Sequence, residues 1–515
     1  MNANVYEITA FILYFVAVIG IGVYFFFKSK SLSEKDYFLG GRNMGGWVSA
    51  LSAGASDMSA WVLMGLPGSI FFYGLGQVWI SIGLLIGTVV SWTFVAPKLR
   101  RYAIMAGDSI TVPEFLSNRF FSKGSVLRVS CAVIFVIGYC LYAASSVFAC
   151  GKLFHLLVPS VAQDVAMIIS AAIILIYTLL GGFNAVCWTD FFQGMLMLAA
   201  LMIVPVVALI VLQTSGSIAP ATTPENYYNF LSSGKFDWAS VATIITGLGW
   251  GLGYMGMPHI IIRYMAIKSE KEMKKSRVIG SVWTGLILLM STVVALVAHE
   301  YLGSSLDPSD RELVFVNVVR NLFGFGALAL IGGVLISAIV AASMSTADSQ
   351  LLASSSAFAS DIYKTVIKKN ASDKEMLLVG RVAVIVVTII AGVLALLVYY
   401  FNLTGIMGLV SAAWSIFGSA FGPVVLLSLY WKRLNYKGAC AGIIAGFVVS
   451  VLWMILFNLS YYEYNAVICD TGVYELVPGF LCGLIVAAVV SLCTKAPEDK
   501  VVELFESVKE FKEKE

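Results

Sequence analysis

The stretch Leu51-Ser-Ala-Gly-Ala-Ser-Asp-Met-Ser-Ala-Trp61, followed closely by Met64-Gly-Leu-Pro-Gly68, decides the fold of this chain. It lies inside one apolar segment that is long enough to cross a bilayer, yet it contains an aspartate, a proline and several glycines. Glycine and proline weaken the hydrogen-bond ladder of a membrane helix. The pattern therefore predicts a helix that is interrupted inside the membrane, where carbonyls and amides are freed.

A second stretch of the same kind is Gly247-Leu-Gly-Trp-Gly-Leu-Gly-Tyr-Met-Gly-Met-Pro-His259, in which five glycines and a proline disfavour an uninterrupted helix. The first stretch falls in the second apolar segment and this one in the seventh, so each opens a unit of five spans. An odd number of spans gives two such units opposite orientations, which is the inverted-repeat plan of many secondary transporters. Broken helices in corresponding positions indicate a binding site near the membrane midplane.

Composition places the whole chain in a membrane. Of its 515 residues, 59% are hydrophobic and only 12% are charged, and the mean hydropathy is +0.89. A soluble domain carries about a quarter charged residues, so a soluble enzyme is excluded. Apolar segments recur from Tyr6 to Leu492. They predict an all-α integral membrane protein with thirteen transmembrane helices, of which ten form the two repeats and three are peripheral.

The predicted organisation has five parts. They are a peripheral first helix in 1–30, the first repeat (spans 2–6) in 45–215, the second, inverted repeat (spans 7–11) in 236–432, two peripheral helices in 436–495, and a cytoplasmic tail in 496–515. In the tail, apolar residues recur at helical spacing from Val501 to Phe511 among Glu and Lys. This spacing predicts an amphipathic helix that lies on the bundle or on the lipid surface.

The basic residues indicate the orientation. Of the 33 Lys and Arg residues, 29 fall in alternate connections and the tail: 28–43, 98–128, 263–277, 361–381, 432–437 and the residues after 494. Cationic connections stay cytoplasmic. We therefore predict a multi-pass protein of the plasma (inner) membrane with its N-terminus outside and its C-terminus in the cytoplasm. The lipid bilayer is its surrounding partner, and the net charge of +3 does not indicate a nucleic-acid binder. No obligate protein partner is evident from the sequence.

A third polar cluster lies in the ninth apolar segment. Ala342, Ser345, Thr346 and Ser349 share one helix face, and Asp348 flanks it. A sodium ion needs several oxygen ligands, which hydroxyls on one helix and freed carbonyls on another can supply. The sequence thus predicts a sodium site between the second and ninth spans. No His/Cys metal pattern and no nucleophile–base pair is evident, so an enzyme is not expected.

Four motifs carry a resemblance to a known family: Ser52-Ala-Gly-Ala-Ser-Asp-Met-Ser-Ala-Trp61, Gly249-Trp-Gly-Leu-Gly-Tyr254, Trp188-Thr-Asp190 and Met344-Ser-Thr346. The chain resembles the sodium/solute symporter family over roughly residues 6–495, and the first two motifs are most similar to its proline-transporting branch. The resemblance implies a leucine-transporter-like core of two inverted five-helix repeats. It also implies import of L-proline driven by co-transported sodium.

Site residues follow from the same resemblance. The implied sodium ligands are carbonyls near Ala55, Met58 and Ala342 and the hydroxyls of Ser345 and Thr346. Sodium affinity or coupling is implied for Asp57, Ser59 and Asp190. The implied pocket residues are Trp61, Gly65, Pro67, Tyr142, Trp250, Tyr254 and Pro258. The chain departs from familiar relatives at Met257, where glutamine is common, and at Asp348, which is either a further coupling carboxylate or a polar contact within the bundle.

Simpler interpretations stay open for several of these residues. Asp57 can cap a helix end, Asp190 can be interfacial, and the hydroxyls can bond to carbonyls of their own helix. The aromatic residues can be ordinary core. At the level of function, the alternatives are symport of a different small organic solute on the same fold, and an ion channel.

Overall fold

The computed structural model describes residues 5–28, 34–122, 124–221, 223–457 and 469–511. Over these ranges the chain is helical and contains no β-strand, only an isolated bridge between Met44 and Ile267. The helices of the first half are α1 (Val5–Lys28), α2 (Glu34–Leu39), α3 (Gly46–Met58), α4 (Gly65–Tyr73), α5 (Val78–Val90), α6 (Ala96–Met105), α7 (Val112–Arg119), α8 (Val126–Leu157) and α9 (Gln163–Ser215). Those of the second half are α10 (Trp238–Gly249), α11 (Pro258–Ala266), α12 (Glu270–Leu302), α13 (Val314–Phe323), α14 (Leu328–Ser356), α15 (Asp373–Phe401), α16 (Ile406–Tyr430), α17 (Tyr436–Phe457), α18 (Leu476–Cys493) and α19 (Asp499–Glu510).

Ten helical segments in the described part of the chain are long and apolar enough to cross a membrane, which confirms a multi-span, all-α membrane protein. The remaining predicted spans consist of shorter pieces. Two of them are the pairs α3/α4 and α10/α11, and the third is the part of α9 before Gly182, where the backbone leaves helical geometry at φ 64° and ψ 177°. The count of thirteen therefore stays a prediction.

Burial sorts the spans into a centre and a periphery. Most residues of α8, α14 and α16 are buried inside the bundle. In contrast, most residues of α1 and α17 are not, and their exposed side chains are largely apolar. Water does not favour such surfaces, whereas lipid accommodates them at no cost. Helices α8, α14 and α16 thus form the inner framework that holds the interrupted spans.

Helix α5 meets the interrupted seventh span through backbone atoms. A methyl group added at Gly83 would lie 2.2 Å from the carbonyl oxygen of Gly247, and one added at Gly87 would lie 2.2 Å from that of Gly251. The two pairs are each spaced by four residues, the small-residue pattern that lets membrane helices approach closely. Any larger residue at these four positions would push the helices apart.

The tail helix α19 lies against the bundle at the end that carries the basic connections, which we call the basic end. Its apolar residues Val501, Phe505 and Val508 are buried. Arg119, itself fully buried, donates to the Val501 carbonyl at 3.3 Å and lies 5.4 Å from the Phe505 ring. Of the two predicted positions for this amphipathic helix, the structure has the one on the bundle.

Candidate functional site

The second span is interrupted as the sequence predicts. Helix α3 ends at Met58, Ser59 adopts φ 34°, a 3-10 turn covers Ala60–Val62, and α4 begins at Gly65. The break comes before the glycine–proline motif. Pro67 lies in the first turn of α4, where a proline removes no helical hydrogen bond. Pro67 therefore shapes the start of the second half-helix.

The seventh span is interrupted in the same way. Helix α10 ends at Gly249, a 3-10 segment covers Trp250–Met255, and Pro258 is the first residue of α11. The segment is fixed by Trp414, whose Nε1 donates to the Trp250 carbonyl at 2.8 Å. Like Pro67, Pro258 sets the start of a half-helix.

The two breaks meet at Asp57. The Tyr254 hydroxyl donates to the Asp57 carboxylate, and the Tyr142 hydroxyl donates to the Asp57 carbonyl at 3.1 Å. The rings of Trp61 and Trp250 lie 5.8 Å apart. All of these residues are buried. Five residues predicted from distant parts of the sequence therefore form one group. The Asp57 carboxylate accepts from Tyr254, and the residue between α3 and the 3-10 turn is Ser59, so the structure does not use Asp57 as the cap of that turn.

A cavity of about 270 Å³ leads toward this group from the end of the bundle opposite the basic end. It is lined by Gly65, Ser69, Tyr73, Arg311 and Met407, among others. A methyl group at Gly65 would lie 3.5 Å from Trp61 Cβ, so the floor of the cavity adjoins the aromatic cluster. Of the predicted pocket residues, Gly65 lines this cavity.

The predicted sodium ligands lie where α3 crosses α14. The Ser345 hydroxyl is 3.0 Å from the Ala55 carbonyl and 3.0 Å from the Ala342 carbonyl, so it bonds both across the interface and within its own helix. The Thr346 hydroxyl is buried and has no hydrogen-bond partner among the described residues. Met58, at the end of α3, is fully buried. The donor set is neutral oxygen, which suits a hard monovalent cation.

Ser59 lies next to the aromatic group around Asp57, and Asp348 lies next to the predicted sodium ligands of α14. The Ser59 hydroxyl accepts from the Trp61 amide at 3.3 Å and so holds the 3-10 turn that follows it. The Asp348 carboxylate accepts from the Ser349 hydroxyl at 3.3 Å and is fully buried. Asp348 therefore has a polar contact within the bundle, and its coupling role stays a prediction.

A buried ion pair and its hydrogen bonds join four spans beside the sodium ligands. Arg263 donates to the Asp190 carboxylate at 2.9 Å, and Ser52 donates to the same oxygen at 2.6 Å. Arg263 also donates to the Ser349 hydroxyl and to the His259 carbonyl, each at 2.5 Å. Asp190 is fully buried and paired with Arg263, so its side chain does not lie at a solvated surface, and its role in coupling stays a prediction.

Arg263 is a functional candidate that the sequence analysis missed. The charge pattern groups Arg263 with the basic connection 263–277, yet Arg263 is a residue of α11 and only 2% exposed. The signal was available, because a single arginine within an apolar run costs too much to be carried without a partner. Apolar residues separate Arg263 from Lys268, the next basic residue along the chain, which also indicates that Arg263 lies inside the span and not in the connection.

A second polar network lies at the basic end. Arg42 donates to the Asp108 carboxylate at 2.8 Å, to the Ser109 carbonyl at 2.7 Å and to the Met265 carbonyl. Burial raises the pKa of Asp108, but hydrogen bonds from Lys35 and Arg42 outweigh that effect and hold the pKa below its ordinary value. Asp108 therefore stays ionised at neutral pH, and the contact between α2 and the α6–α7 connection persists.

These features define a multi-span membrane protein in which two broken helices meet at a buried polar and aromatic group, toward which a cavity leads from one end. The sequence profile of the Sodium:solute symporter family matches residues 37–446. This chain belongs to the sodium:solute symporter family, and it is a transporter and not an enzyme.

Two curated relatives and one solved structure illustrate the likeness. The chain is 41% identical over 499 residues to the osmoregulated proline transporter OpuE of Bacillus subtilis (strain 168), covering 96% of each chain. It is 40% identical over 503 residues to the sodium/proline symporter of Staphylococcus aureus (strain USA300 / TCH1516), covering 96% of this chain and 94% of the relative. A Na+-coupled sialic acid symporter in its substrate-bound outward-open state has the same fold, with TM-score 0.74, 19% identity and coverage of 96% of this chain and 99% of that one.

Proposed function

We propose that this chain imports L-proline together with sodium by alternating access. The observation that carries the proposal is the contact between the two breaks, where Tyr254 donates to Asp57 and Trp61 lies beside Trp250. Broken helices of paired repeats supply the binding groups in many secondary transporters. The names of the two relatives support proline as the solute and sodium as the coupling ion.

Proline fits the chemistry of this group. The amides at the start of α4 and its helix dipole favour the carboxylate of the solute. The aromatic rings of Trp61, Trp250 and Tyr254 offer flat apolar faces for a pyrrolidine ring, and its secondary ammonium gains a cation–π interaction there. Burial of these rings keeps water away from the bound solute.

Sodium is proposed to bind first, between α3 and α14. Its ligands are the carbonyls of Ala55, Met58 and Ala342 and the hydroxyls of Ser345 and Thr346. The ion links the second span to the ninth, which closes the solute group. Rocking of the two repeats then opens the network of Arg42 and Asp108 and releases both cargoes on the other side.

The topology belongs to the same proposal. The chain would cross the plasma membrane thirteen times as two inverted five-helix repeats in 45–215 and 236–432, with peripheral helices in 1–30 and 436–495. Its N-terminus would lie outside and its tail, 496–515, in the cytoplasm. The cavity lined by Gly65 would then face the exterior, where the solute is collected.

The deciding experiment is uptake of radiolabelled L-proline into proteoliposomes under an inward sodium gradient, with potassium replacing sodium in a parallel sample. Ser345→Ala removes the hydroxyl that links Ala55 to Ala342. Ser337→Ala is its control, because among the described residues the Ser337 hydroxyl bonds within α14, to the Gly333 carbonyl at 2.7 Å. We expect sodium-dependent accumulation that is lost in Ser345→Ala and kept in Ser337→Ala. Uptake without sodium would refute coupling.

A different solute on the same fold is the second candidate. Met257, which precedes α11, is fully buried where familiar relatives often carry glutamine, so one polar contact to the solute is absent. A panel of unlabelled amino acids and sugars competing with labelled proline separates the two candidates. Competition by proline alone supports the first, whereas stronger competition by another solute reassigns the specificity.

A further inference from the structure

A pocket outside the transport site lies at the basic end, between α6 and α12. Its volume is about 180 Å³, and its walls include Arg100, Arg101, Glu270, Met273, Lys274 and Arg277. It is separate from the cavity that leads to Gly65, which opens at the other end of the bundle. From the sequence, these basic residues are expected only to orient the chain in the membrane.

The walls of the pocket carry an excess of positive charge. Four of the side chains are cationic and one is a carboxylate. That carboxylate, Glu270, accepts from Arg101 through two hydrogen bonds of 2.5 and 2.9 Å. In the part of the chain that the structure describes, no carboxylate forms an ion pair with Lys274 or Arg277. A concave site with this balance attracts an anion that has several oxygens.

One wall of the pocket is held in place. Arg100 is 3% exposed, and it donates to the Ile267 carbonyl at 2.6 Å and to the Lys268 carbonyl at 2.7 Å. These carbonyls follow directly after α11, the second half of the broken seventh span. These two hydrogen bonds fix the position of the guanidinium in the wall of the pocket.

The surface next to the pocket identifies the kind of anion. Along α12, Lys274, Val278 and Val282 are spaced by four residues and lie on one helix face, which continues to Leu289. The three apolar side chains are 59%, 56% and 57% exposed. In a membrane-spanning helix such side chains face acyl chains. The cationic pocket therefore lies at the foot of a lipid-facing stripe.

We propose that this pocket binds the phosphate group of an anionic phospholipid, with Arg100, Lys274 and Arg277 around the phosphate and the acyl chains along Val278 and Val282. Basic pockets between transmembrane helices bind such headgroups. The proposal is independent of which solute is transported. Because Arg100 also holds the end of α11, the bound headgroup stabilises the position of this half-helix.

Lipid retention by the purified full-length protein tests the proposal. The variant Lys274→Gln/Arg277→Gln removes two pocket cations. The matched control, Lys271→Gln/Lys275→Gln, removes the same charge from the same helix at residues outside the pocket. Native mass spectrometry measures retention of dioleoyl phosphatidylglycerol, with dioleoyl phosphatidylcholine as the zwitterionic comparison. Each basic residue near the surface contributes about 1 kcal/mol, so we expect roughly 30-fold weaker retention in the pocket variant.

The control is expected to retain phosphatidylglycerol as the wild type does, and all three proteins are expected to elute alike in size-exclusion chromatography. Equal losses in the pocket variant and the control would overturn the site, since the attraction would then be diffuse. A further arm measures thermal stability with inorganic phosphate in place of lipid. Pocket-dependent stabilisation by inorganic phosphate, with none by phosphatidylglycerol, would overturn the lipid as the source of the anion.

Discussion

Arg263 shows how much one residue can hold in place within a membrane. Its guanidinium reaches Ser52 on α3, Asp190 on α9 and Ser349 on α14. A buried ion pair gains little over an apolar contact of the same shape, but loss of one partner leaves an uncompensated charge. The pair therefore specifies the arrangement of these helices more than it adds to their stability.

The pair can be tested by removing its charges singly and together. We expect Arg263→Gln to destabilise the protein by about 3–5 kcal/mol, and Arg263→Gln/Asp190→Asn to recover much of that loss. Thermal unfolding of the purified proteins in detergent gives the comparison. Additive losses in the double variant would contradict the proposed dependence of one charge on the other.

A second prediction at this scale concerns the Asp57–Tyr254 hydrogen bond. Tyr254→Phe removes the hydroxyl and keeps the ring, so the Asp57 carboxylate loses a buried donor. A hydrogen bond to a charged group contributes about 1.5–3 kcal/mol, and we expect a similar loss in the apparent affinity for proline.

Concentration dependence of uptake measures the effect of Tyr254→Phe. Tyr264→Phe is the control, because the Tyr264 hydroxyl hydrogen-bonds with Ser91, the residue after α5, at 3.1 Å and, among the described residues, forms no hydrogen bond with Asp57. An unchanged half-saturating proline concentration in Tyr254→Phe would remove Asp57 and Tyr254 from the solute group.

At the scale of elements, the contact between α5 and the seventh span depends on four glycines. Gly251→Ala is expected to abolish most transport, since the added methyl would lie 2.2 Å from the Gly83 carbonyl oxygen. The matched control is Gly285→Ala on α12, where the nearest atom, a Leu85 side-chain carbon, is 3.4 Å away. The test compares uptake rates of the two variants at equal surface expression. Normal transport by Gly251→Ala would show that the close contact between α5 and the seventh span is not needed.

The interrupted helices show what composition can predict about an element. Glycine and proline indicated that spans two and seven break, and both do. The exact break in the second span, at Ser59, was not predictable from them. Glycine and proline indicate where a continuous helix is unfavourable for the local backbone. The positive φ of Ser59 depends instead on the surrounding bundle, which stabilises it.

At the scale of the whole molecule, inward movement of one sodium with a net-neutral solute carries one charge. A membrane potential supplies about 2.3 kcal/mol per charge per 100 mV. We therefore expect an inside-negative potential of about 100 mV to raise proline accumulation roughly 50-fold over the same sodium gradient alone. A valinomycin-induced potassium gradient imposes the potential in proteoliposomes, and accumulation that ignores it would exclude net charge movement.

Class, helical content and family were predictable, because hydropathy and short motifs are properties of the chain itself. Partners across the bundle were not. The sequence placed Arg263 with its basic neighbours, since nothing in one sequence shows that its side chain points toward Asp190. The grouping of Asp57, Trp61, Tyr142, Trp250 and Tyr254 was inferred from resemblance, and the folded chain supplies the physical contacts.

The Arg263–Asp190 pair also restricts how this chain can change by descent. A single substitution of either partner leaves the other as a lone charge in a buried site. Replacement of both together requires two simultaneous changes. Stepwise replacement of either residue alone is therefore disfavoured. The two positions are expected to vary together among descendants of this chain, although 73 positions separate them.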